Sequence, residues 1–148
     1  MAINVNALSV LNLTAAGDLD QLQAALEAAG FSVFSIDVSA VHDDETFTAA
    51  VLAGLPVPKD ARADGFDALK DHLRVGLAGL DSSDVAFIWL HTEAMLDGAL
   101  ATLLDAVDIF VALSRQVYSP AETNFPRRIR LLTFLTGSGP NFPSLTGA

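Results

Sequence analysis

Val85-Ala86-Phe87-Ile88-Trp89-Leu90 runs apolar without interruption, the composition of a strand buried on both faces inside a helix-covered sheet. Upstream, Phe31-Ser32-Val33-Phe34-Ser35-Ile36-Asp37 alternates apolar with polar residues, the period of a strand. Downstream, Arg130-Leu131-Leu132-Thr133-Phe134-Leu135 reads as a last buried strand. A short apolar stretch at 7–12 predicts one more. Between these runs the spacing changes to three and four, the period of amphipathic helices. Leu19, Leu22 and Leu26 mark a helix over 18–29, with Asp18 placed to cap it and Gly30 to stop it. Asp43-Asp44-Glu45 open a second helix that carries Phe47, Val51 and Leu52 on one side and closes at Gly54. A third is predicted over 66–80. A long fourth spans 94–117, with Leu96, Leu100, Leu103, Val107, Phe110 and Val117 as its inner stripe. Pro56, Pro58 and Gly65 make 55–65 a loop. Strands alternating with helices predict a small α/β fold with a mainly parallel sheet of three to four strands and right-handed crossovers.

The chain has 148 residues, the size of one ordinary domain. That domain is expected over 1–136, with 1–30 as an N-terminal β-α extension of a core at 31–136. Residues 137–148 are expected to form a flexible tail, with Phe142 placed to dock back. Hydrophobic residues make up 51% and charged residues 18%, which excludes wholesale disorder. With no Cys, a disulfide scaffold or thiolate metal site is excluded as well. Acids outnumber bases 18 to 8, so nucleic acid is a poor partner and a basic protein a better one. The charge is uneven, because all the acids but Glu122 precede residue 111 while Arg115, Arg127, Arg128 and Arg130 follow it. Neither a secretory leader nor a membrane span is predicted, and the expected location is cytoplasmic.

Most catalytic signatures are missing. There is no phosphate-binding Gly-rich loop with Lys and Ser/Thr and no Gly-x-Ser-x-Gly elbow. His42 with Asp43, Asp44 and Glu45 reads as a helix start, where acids meet the positive end of the macrodipole. His91, Glu93 and Asp97 at a strand end are the residues an enzyme reading would use. No cofactor or metal is expected. The strongest signal lies in the third helix. At about 100° per residue, Phe66, Leu69, Leu73 and Leu77 fall within about 80° and face the core. Asp67 and Asp71 lie about 40° apart on the other side, with Lys70 and Arg74 beside them to offset their repulsion. A solvated charged face is the simplest explanation of that pattern.

Leu55-Pro56, a loop, and then Gly65-Phe66-Asp67-Ala68-Leu69-Lys70-Asp71-His72-Leu73 resemble the barstar family. The elements around this motif agree with it, and the resemblance covers about residues 31–136. It implies an intracellular, non-enzymatic inhibitor or immunity protein that blocks a basic ribonuclease or toxin. It also implies that helix 66–80 and the preceding loop enter the partner's phosphate-binding site, with Asp67 and Asp71 standing in for phosphate. Gly65, Phe66, Lys70 and Arg74 would complete the partner-binding surface. Two features depart from the family pattern. The loop carries Lys59, Asp60 and Arg62 in place of Tyr and Gly, and Lys70 stands where an aromatic is expected. The family's acid on the late helix has only Asp105 and Asp108 as nearby candidates. These departures favour an alternative, an interaction or regulatory module on the same scaffold that does not inhibit a ribonuclease.

Overall fold

Four strands lie side by side in the order β1-β4-β3-β2, every neighbouring pair parallel, in a computed structural model that describes residues 3–119 and 124–144. They are β1 (Leu11–Ala15), β2 (Ser32–Asp37), β3 (Asp84–Leu90) and β4 (Arg130–Gly137). The helices between them are α1 (Leu19–Ala28), α2 (Asp44–Gly54), α3 (Phe66–Ala78), α4 (Glu93–Gly98) and α5 (Leu100–Tyr118). Central strands β3 and β4 are buried on both faces, as an uninterrupted apolar run requires. On one face Leu22 and Leu26 of α1 pack with Phe31, Ala86, Ile88, Leu132 and Phe134. The other face carries the larger core, built from α2, α3 and α5. The N-terminal β-α unit thus supplies both an edge strand and the only long helix described on its face.

Three expectations are corrected. The first strand lies at 11–15 rather than 7–12, and Val5–Ala7 form a single 3-10 turn. Polar side chains explain the shift. Asn4 accepts from the Asn6 N–H at 3.1 Å, and Asn12 both accepts from the Ser9 N–H and donates to the Ser9 carbonyl. Such local bonds compete with strand pairing. Next, the long helix over 94–117 is two helices, broken at Ala99 (φ −150°, ψ 46°) just after Gly98. The break changes the helical register, so Leu100, expected on the inner stripe, is half exposed. The inner face of α5 is instead Leu103, Ala106, Phe110, Leu113 and Val117. Finally, α3 stops at Ala78, with Gly79 as its C-cap. Beyond β4, Phe142 is buried and its ring edge lies against Gly137, while the Pro143 carbonyl accepts from the Ala15 N–H at 3.0 Å. Residues 145–148 of the expected tail lie outside the described residues.

The acids that open α2 divide their work. Asp43 caps the helix, accepting from the Thr46 N–H at 2.8 Å, while the Thr46 hydroxyl oxygen accepts from the Asp43 N–H at 3.1 Å. The backbone and hydroxyl hydrogen bonds from Thr46 hold the Asp43 carboxyl below its ordinary range. A lowered folded-state pKa means stability that is present above the unfolded pKa and lost as pH falls through the folded one. Asp43→Ala should therefore lower Tm at neutral pH, by an amount that shrinks once the carboxyl is protonated. Thermal melts of both proteins across the acid range, followed by circular dichroism, measure this convergence.

Candidate functional site

Burial of one leucine row fixes what α3 shows to the outside. Leu69, Leu73 and Leu77 are fully buried, a burial worth about 1.5–3 kcal/mol for each side chain. Their spacing leaves Asp67 and Asp71 on the outer face, and both are exposed. Lys70 and Arg74 are half-buried alongside. Neither carboxylate lies within 4.0 Å of a cation among the described residues. The two acids differ in one respect. Asp67 sits in the first turn, where the helix's positive end favours it. Asp71 is a full turn further on and has no such structural role.

The start of α3 is anchored in an aromatic hub. The Phe66 ring lies 5.7 Å from Phe47, edge to face, and Phe47 lies 5.1 Å from Trp89 and 6.2 Å from Phe110. Gly65, which precedes α3, adopts φ +98°, a conformation that L side chains rarely adopt. The loop before it is tied down twice. The His72 Nε2–H donates to the Arg62 carbonyl at 2.6 Å. Gly76 lets the Pro56 carbonyl approach so closely that a methyl group at 76 would overlap it.

Two hollows flank the helix. One, of about 480 Å³, is lined by Asp44, Glu45, Thr48, Ala63, Asp64 and Gly65. The acids of α2 and of the loop therefore extend the carboxylate surface past the start of α3. The other, of about 430 Å³, is lined by Asp71, Arg74, Val75, Ala78, Phe125 and Pro126, and Val75 is 60% exposed there. Sequence reasoning treated Asp44 and Glu45 only as a helix start and gave Asp64 no role. No local signal brings them together, because their meeting depends on how α2 packs beside the loop.

Of the other candidates, Asp44 and Glu45 line the first hollow, and His42 and His91 make short-range contacts. His42 is 3.4 Å from the capping Asp43, and His91, at φ +63°, is 3.9 Å from Glu93. Among the described residues no three His, Cys, Asp or Glu side chains are grouped to hold a metal ion. Asp105 and Asp108 are both exposed on α5. No helix among the described residues is long and apolar enough to cross a membrane.

Comparison with protein families agrees with this architecture. The family model described as Barstar (barnase inhibitor) matches residues 31–131, which run from the start of β2 into β4 and include all of α3. The chain belongs to the barstar family. Unit β1-α1 lies outside the matched stretch. No curated protein and no solved structure gives a significant match.

The close approach at Gly76 yields a direct test. Gly76→Ala must displace the Pro56 segment and should cost about 1–3 kcal/mol, the usual range for overpacking. Urea unfolding should reveal the loss, and amide exchange should show it concentrated at residues 55–65.

Proposed function

We propose that the protein is a non-enzymatic inhibitor of a basic ribonuclease or toxin, working in the cytoplasm, and that α3 with the loop before it forms the contact surface. The single observation that carries this reading is the pair of exposed carboxylates, Asp67 and Asp71, with no cation within 4.0 Å among the described residues, on a helix whose opposite side is locked into the core. A carboxylate that enters a cationic, phosphate-binding cleft replaces phosphate oxygens with charge-assisted hydrogen bonds. Its desolvation cost is met there by Arg and Lys already arranged for an anion, and the chain's net charge of −10 speeds encounter. Rigidity matters as well, since Phe66, Gly65 and His72 hold the surface in place before binding and reduce the ordering cost of association. Arg74 and Lys70 would contact acidic or polar groups at the rim.

A second reading rests on Lys70. A cation in the same turn as the two acids would repel a basic cleft, which favours an interaction module that has lost ribonuclease binding. Ionic strength separates the two. For the inhibitor, the association rate should fall steeply between low and physiological salt. For the module it should stay flat.

The decisive experiment titrates the protein against a panel of basic secreted ribonucleases, following RNA hydrolysis and calorimetric affinity. Replacing Asp71 by Ala should weaken a cognate complex by at least about 2 kcal/mol, a hot-spot scale to which this family's own complex contributes. Asp67→Ala should match it in binding while also costing about 0.3–1 kcal/mol of stability through the helix end. If a double Asp67→Ala/Asp71→Ala variant keeps full affinity for an identified partner, the assignment of this surface is wrong.

A further inference from the structure

β1 is an edge strand, and its backbone shows which groups are left for a partner. The Val10 carbonyl accepts from the Thr133 N–H at 2.9 Å. Because backbone groups alternate sides along a strand, Val10, Asn12 and Thr14 bond toward β4, and Leu11, Leu13 and Ala15 turn theirs to the open side. Both ends of that side are closed. The Ser9 N–H goes to Asn12 Oδ1 at 3.1 Å, and the Ala15 N–H to the Pro143 carbonyl at 3.0 Å. Between them Leu11 and Leu13 present amide groups with no partner among the described residues.

Apolar side chains are exposed both around β1 and on α5. Val10, Leu13, Leu100, Leu104 and Tyr118 range from 41% to 57% exposed. Leu100, Leu104 and Tyr118 fall within about 40° of one another on α5. A cavity of about 190 Å³, lined in part by Leu8, Val10, Ser114 and Tyr118, joins that helix face to the start of β1. Between the two closed ends β1 holds no Lys, no Pro and no inward charge, side chains that would otherwise guard an edge.

We propose that a second copy of this chain covers the β1 edge. The two β1 strands would run antiparallel about a two-fold axis at Asn12 and join two four-stranded sheets into one. In that register Leu11 of each copy faces Leu13 of the other, so both gaps close with reciprocal N–H to carbonyl bonds. No other pairing of the edge with itself matches the open groups while leaving the Ser9 and Ala15 closures intact.

Charge favours the same occupant. No charged side chain precedes Asp18, although the whole chain carries −10. Two copies meeting at the acidic face would repel, whereas here they meet on an uncharged strip. The ends are complementary too. Arg130 and Tyr118, with Arg128 stacked 5.0 Å over its ring, line the cavity at the start of β1, while Asp18 and Asp20 follow the strand's finish. A two-fold axis sets one copy's basic end against the other's acidic end. The acidic α2, which packs against the opposite edge strand β2, stays uncovered.

Sedimentation equilibrium of the full chain tests this. The expected result is a concentration-dependent mass reaching twice the 15.5 kDa of one chain, with the Leu11 and Leu13 amides gaining exchange protection over the same concentrations. Leu13→Lys and, independently, Leu104→Glu should each raise the dimer dissociation constant at least about tenfold while circular dichroism stays native. Asp67→Ala/Asp71→Ala should leave the mass unchanged, so this proposal and the inhibitor reading can fail separately. A mass of one chain at every concentration overturns the proposal, as does a dimer indifferent to both apolar-to-charged changes. Protection of the two amides in a monomer does so too, by showing that the chain's own C-terminal segment closes the gap.

Discussion

The leucine row of α3 is the constraint on which the rest depends. Leu69, Leu73 and Leu77 are fully buried, and a helix has no freedom to rotate about its axis without exposing all three at once. Several kcal/mol of apolar burial therefore orient the outer face. Asp67 and Asp71 stay exposed with no ion-pair partner among the described residues holding them there. Two like charges a turn apart cost only a few tenths of a kcal/mol, far too little to turn the helix. The arrangement separates stability from recognition, because one side of a single helix supplies the first and leaves the other free to vary.

The hub of Phe47, Phe66, Trp89 and Phe110 extends that constraint across elements. Its rings come from α2, α3, β3 and α5, so the start of α3 is fixed relative to the sheet and to the acids opening α2. Edge-to-face aromatic pairs add about 0.5–1.5 kcal/mol beyond area burial. More important here, they set an angle. Gly65 at positive φ and the close approach of Gly76 to Pro56 then leave the loop little room to move. A surface held this way loses little conformational entropy on binding.

The sheet divides the molecule in two. Strands β2 and β3, the helices after them and the first two residues of β4 belong to the stretch that the family model covers, and the acidic surface lies on that part. The β1-α1 unit adds a fourth strand and covers the second face of the sheet, where Leu22 and Leu26 bury themselves against Ile88, Leu132 and Phe134. Without α1 those side chains would face water, so the added unit is integral to the core as well as an edge. It also moves the open edge of the sheet from β4 to β1.

The fold class was legible in the sequence because an uninterrupted apolar run and a three-four spacing are local properties of burial. Val85–Leu90 and the row Leu69, Leu73, Leu77 needed no neighbour to be read. The outward placement of Asp67 and Asp71 followed from the same periodicity. Strand order, the break at Ala99, the shift of β1 to 11–15 and the exposure of Leu100 were decided only in three dimensions. Strand order depends on which backbone groups find partners at a distance, while the break at Ala99 and the start of β1 turn on backbone and side-chain bonds that hydrophobic spacing does not record. The meeting of Asp44, Glu45 and Asp64 beside Gly65 belongs to the same class, since residues on separate elements converge only once helices pack on a sheet. So periodicity told which way each element faces, and tertiary packing alone determined what it faces.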